Sequence, residues 1–186
     1  FRRVLFRSEE PSGFQPVVPA LYQRGWTVLS VRYRGSDEAA FPAQLTDVKT
    51  AIRWAKAHSS ELGIDADSIV VAGFSAGGHL AALSGTSQSY GEPTAVPDAL
   101  RNVTSRPSAV IAIDSVLDPA TFPLAGGLGT SNATAVTALL GCTTPSAQWQ
   151  RCNTALLAAT RVARYADASD PAMYVAARSE EHTSEL

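Results

Sequence analysis

Hydrophobic positions along the chain follow two periods. Four short, mostly apolar runs, Val28–Val31, Ile69–Ala72, Ala109–Ile113 and Ala172–Ala177, have the look of strands buried on both faces, as in a parallel sheet covered by helices. Between them the period lengthens. In 43–57, Leu45, Val48, Ile52 and Ala55 fall on one helical stripe, which predicts a helix with that stripe inward and with Lys49, Arg53 and Lys56 on or near the wet side. Gly63 ends that region, and Asp65–Ser68 reads as a turn into the second run. Residues 14–24 read as the end of an earlier helix leaving at Gly25, and 76–87 as a helix of small residues. Strand and helix in alternation predict an α/β fold with a mostly parallel sheet and flanking helices.

One stretch breaks the pattern. From Pro119 to Gln150 there is no charged residue; Ala, Gly, Thr, Ser and Pro dominate. It forms the centre of an expected excursion over 115–165, either packing on the body or serving as a lid or pocket wall above the strand ends. Cys142 and Cys152 lie ten residues apart within it. A disulfide and two free thiols both fit that spacing, and a disulfide would favour an exported protein. Asn102-Val103-Thr104 and Asn132-Ala133-Thr134 match the glycosylation pattern.

The two ends of the chain change the picture of its extent. The DNA segment TTCAGACGTGTGCTCTTCCGATCT encodes residues 1–8, FRRVLFRS, and its reverse complement encodes residues 178–185, RSEEHTSE. The ends 1–8 and 178–186 are therefore expected to be scars of a sequencing adapter, set aside from the fold. The natural segment is then 9–177, a partial domain cut at arbitrary points. Without the scars, 11 basic and 14 acidic residues remain. That balance gives no footprint for nucleic acid, and no apolar run is long enough for a membrane span.

The chemistry is concentrated at Gly73-Phe74-Ser75-Ala76-Gly77, a G-x-S-x-G motif between an apolar run and a helical stretch. Strand, sharp turn and helix is the setting in which such a serine becomes a nucleophile. The turn must be tight, so a side chain at Gly73 or Gly77 would crowd it. The helix that follows directs N–H groups at the reacting centre, and the Ala76 N–H is the natural first donor of an oxyanion hole. His79 reads as structural and His58 as solvent-facing. Asp114 and Asp118 read as pocket or loop-capping residues, and Asp47 as the partner of a nearby arginine.

Here a resemblance becomes specific. Gly73-Phe74-Ser75-Ala76-Gly77-Gly78-His79-Leu80-Ala81 resembles the nucleophile elbow of α/β-hydrolase serine esterases, in the branch of hormone-sensitive lipase and feruloyl-esterase-like enzymes. Arg32-Tyr33-Arg34, Pro42–Val48, Ala51–Trp54 and Gly63-Ile64-Asp65 resemble segments of the same branch. The resemblance implies an α/β-hydrolase fold with strands missing at both ends, and a carboxylic ester hydrolase in the parent protein with Ser75 as nucleophile. It implies a small ester as substrate and neither metal nor organic cofactor. The family's upstream His-Gly-Gly loop is absent, as are the acid and histidine that follow the elbow. Asp170–Ala177 resembles the strand that precedes that acid. The chain itself is therefore expected to turn over little and to be unstable alone. A peptidase or arylformamidase on the same fold, and a binding protein that has kept the fold, are the alternatives.

Overall fold

The computed structural model describes residues 2–7, 17–93, 98–121, 129–142 and 151–177. Five strands form one sheet: β1 (Arg2–Arg7), β2 (Thr27–Ser30), β3 (Ile64–Phe74), β4 (Ala109–Ile113) and β5 (Ala172–Ala176). Their order is β2-β1-β3-β4-β5, and every pairing is parallel. The four expected strands are present within a residue or so at most ends, β3 being longer. The fifth departs from the sequence reading. The segment set aside as a scar supplies β1, with Leu5 opposite Val28 on one side and Val70 on the other. A parallel ladder needs backbone groups in register, and Val-Leu-Phe is a run that favours extended backbone. It can form a strand whatever its origin.

β3 begins earlier than its apolar run. Arg2 faces Ile64 but Val4 faces Ile69, so residues 65–68 swell out of the ladder. The expected turn lies inside this swelling. The Asp65 carboxylate accepts hydrogen bonds from the Ser68 hydroxyl at 2.7 Å and the Asp67 N–H at 3.0 Å, which hold its pKa below the usual value.

The helices are α1 (Val18–Gln23), α2 (Ala43–Ala57), α3 (Ser59–Leu62), α4 (Ala76–Thr86), α5 (Asp98–Arg101), α6 (Gly129–Leu139) and α7 (Thr154–Ala159). α1 gives way at Gly25, whose φ of 80° suits glycine. In α2 the stripe Leu45, Val48, Ile52 and Ala55 is buried against α4 and the sheet, together with Ile69, Val71, Leu83 and Val110. Burying each large aliphatic side chain there contributes about 1.5–3 kcal/mol.

The expected wet side of α2 is only partly wet: Trp54 is exposed and Arg53 and Lys56 are half-buried, but one residue goes fully inward. Lys49 is fully buried. Its Nζ donates to the carbonyls of Ser87 at 2.5 Å, Gln88 at 3.3 Å and Tyr90 at 2.8 Å, and pairs with Glu92 at 3.1 Å. Arg53 pairs with the other Glu92 oxygen at 2.5 Å, and Lys56 donates to the Arg106 carbonyl at 2.7 Å. The chain that follows α4 folds over this face and brings carbonyl oxygens in place of water. Burial pulls the pKa of Lys49 down, against the attraction of Glu92. Burial alone would raise Glu92, but bonds from Ser105, Arg53 and Lys49 hold it low.

Candidate active site

β3 ends at Phe74 and α4 begins at Ala76, leaving one residue to reverse the chain. That residue is Ser75, at φ 53° and ψ −120°. A side chain in this region is strained by about 1–3 kcal/mol. The surrounding bonds impose it. The Ser75 N–H donates to the Ile113 carbonyl on β4 at 2.9 Å, and the Ser75 carbonyl accepts the His79 N–H at 3.0 Å. Ser75 and Ala76 are exposed, while Gly77 to Thr86 are buried.

The glycines make the reversal possible. A Cβ on Gly73 would overlap the backbone of Gly77 and Gly78. A Cβ on Gly78 would overlap the Ser115 hydroxyl and press on the Gly73 carbonyl. The need at Gly73 matches the sequence reading. The contact between Gly78 and Ser115 has no signal in the local pattern, because it joins the first turn of α4 to the chain just after β4. Phe74 turns to the opposite face of the sheet, among Ala72, Ile111 and Ile113.

Ser75 thus stands at the C-terminal end of the sheet, at the positive end of an eleven-residue helix. The neighbouring strand end is strained too. Asp114, directly after β4, has φ 53°, and its N–H donates to the Ala176 carbonyl on β5 at 2.6 Å. Asp118 takes the loop-capping role: one oxygen accepts the Ala120 N–H at 3.0 Å and the other pairs with Arg161 at 2.9 Å. Asp47 holds Arg34 through paired bonds at 2.8 and 2.9 Å.

Neither described histidine is placed to serve Ser75 as a base. His79 is buried, its Nε2 lying 2.6 Å from the Thr160 carbonyl. Burial pushes its pKa down, only partly offset by that bond. His58 caps the far end of α2, stacks on Trp54 at 4.4 Å and bonds the Trp54 carbonyl. His182 lies outside the described residues.

The excursion packs on the body near Phe41 and His79. Cys142 and Cys152 are bonded to each other, with Cα atoms 6.3 Å apart. Leu140 and Leu157 form a small core of their own with Val136 and Leu156. Two of the links that tie the excursion to the body are His79 to Thr160 and the Phe41 N–H to the Leu139 carbonyl at 2.8 Å, while the Val162 N–H to the Leu117 carbonyl at 3.0 Å closes the excursion's own base. Residues 122–128 and 143–150 lie outside the described residues.

This arrangement has relatives. Esterase LipC of Mycobacterium tuberculosis is 48% identical over 69 residues, which is 37% of this chain and 17% of the relative. A bifunctional GH43-CE protein from Bacteroides eggerthii superposes with a TM-score of 0.77 at 27% identity, over 94% of this chain and 26% of that one. An acetyl ester-xyloside bifunctional hydrolase from Caldicellulosiruptor lactoaceticus does so at 0.70 and 26% identity, over 94% and 60%. The chain therefore spans only part of each relative's length. The BD-FAE family model matches residues 6–182, and with an α/β-hydrolase sheet and elbow beneath that match, the chain belongs to the BD-FAE family.

Proposed function

We propose that the whole protein is a carboxylic ester hydrolase with Ser75 as its nucleophile. The observation that carries this reading is the backbone of Ser75: strained, exposed, and pinned on one side to β4 and on the other to the first turn of α4. A serine with no chemical task gains nothing from that conformation. In the reaction Ser75 Oγ attacks the ester carbonyl as its proton passes to a base. The alcohol leaves, and water then cleaves the acyl-enzyme. The Ala76 N–H, at the helix start, donates to the oxyanion, a role worth about 3–4 kcal/mol in comparable sites. Gly73, Gly77 and Gly78 let the turn close, and Phe74 anchors it to the sheet. Esters of short acids with carbohydrates are the first substrates to screen, given the names of the structural neighbours.

The base is not among the described residues. In a chain extended to the family's full length, hydrolysis of 4-nitrophenyl acetate should fall by about a thousandfold or more in Ser75→Ala. Unchanged turnover in that variant would refute the assignment. The 186-residue chain should show no turnover that depends on Ser75; finding it would overturn the placement of the base.

A further inference from the structure

At the end of α4 away from Ser75 lies a cavity of about 340 Å³ with no part in the chemistry above. Its walls come from α2, the last turn of α4, the turn that follows and the loop at 104–106. Two arginines line it, Arg53 and Arg106, with one acidic residue, Glu92.

The carboxylate is already satisfied. One Glu92 oxygen takes Lys49 and the Ser105 hydroxyl, and the other takes Arg53. The cations are not. Arg53 spends its terminal nitrogens on Glu92 and on the carbonyls of Leu100, Arg101 and Val103, but its buried Nε meets no acceptor. A buried donor without an acceptor is costly, and water or a ligand normally relieves it. Arg106 enters no ion pair among the described residues. It lies near enough to exposed Asp167 to assist the Ser169 hydrogen bonds that hold that carboxyl low. Counting Lys49 behind Glu92, the site keeps an excess of positive charge. Gln88 and Thr104 add polar groups to the wall.

We propose that this cavity binds a compact oxyanion, a carboxylate or phosphate, between Arg53 and Arg106. The Arg53 Nε–H and the Arg106 guanidinium are donors of the kind such anions take, and the cavity is at the small end of ligand sites. The site is separate from Ser75 and stands whether or not the chain is part of an esterase.

The test is calorimetric and NMR titration of the chain extended to the family's full length with acetate and with inorganic phosphate, at constant ionic strength. Saturable binding is expected, with amide shifts centred on residues 84–92 and 103–106. Arg106→Gln should weaken it by about fivefold or more, with Arg106→Lys between the two. Arg24→Gln, an exposed arginine at the end of α1, and Ser75→Ala should leave it unchanged. Which anion binds more tightly identifies the source of the ligand. No saturable binding of either, or equal losses in Arg106→Gln and Arg24→Gln, would overturn the proposal.

Discussion

The two ends of α4 have been built for opposite purposes. At its C-terminal end the helix's own hydroxyls and last carbonyls are answered. The hydroxyls of Ser84, Thr86 and Ser87 bond back to carbonyls one turn earlier, and the Lys49 ammonium closes on the Ser87 carbonyl. A cation belongs there, at the negative end of the helix. At its N-terminal end the chain is strained, the glycines have no room for a side chain, and Ser75 faces solvent. One end is satisfied within the fold and the other is held strained and open. A helix can hold a reactive turn in place only if its other end does not move.

The sharpest way to break this contrast is to attack the tight turn. Gly73→Val should cost about 4 kcal/mol or more, since its side chain would meet backbone that cannot step aside; urea unfolding measures it. A similar loss is expected if the anchored end is unmade. Lys49→Met should cost about 3 kcal/mol, because it leaves Glu92 and the Ser87, Gln88 and Tyr90 carbonyls short of a donor. Adding Glu92→Gln should recover part of that, as a double-mutant cycle would show.

Acid should act near the reactive end through His79. Its folded pKa lies below its ordinary 6.5, so the neutral form is the one the fold favours. Stability is full above 6.5 and declines as the pH falls from 6.5 toward the folded value, by at most about 1.4 kcal/mol per pH unit. Unfolding curves at pH 7.5 and 5.5 should show this, and His79→Gln should flatten the difference. The smallest effect sharpens the contrast most. Ser75→Gly should raise stability by about 1 kcal/mol by releasing the positive φ. A loss there would mean that the turn is not strained.

The sequence reading reached the reactive end more easily than the anchored one. Gly73, Ser75 and Gly77 are neighbours in the chain, so their demands appear as a motif. The stripe Leu45, Val48, Ile52 and Ala55 is legible because burial of apolar groups follows the helical period. Lys49 is not legible, because its surroundings are carbonyl oxygens, which every residue has, brought from about forty positions away. Arg53 and Lys56, half-buried near the wet side, lie where the helical period puts them. β1 was missed because an argument about the origin of a segment says nothing about whether it can pair. The cysteine spacing left both thiols and a disulfide open; only the fold of the excursion brings the two together.

The disulfide has a consequence for how this protein ages. A trypsin-like protease finds no basic residue from Pro119 to Gln150. The first it meets is exposed Arg151, inside the ring closed by Cys142 and Cys152. A cut there severs the chain but releases no fragment, because the bond still joins the two halves. The nick stays hidden until a reductant arrives, and only then can the two halves of the excursion come apart.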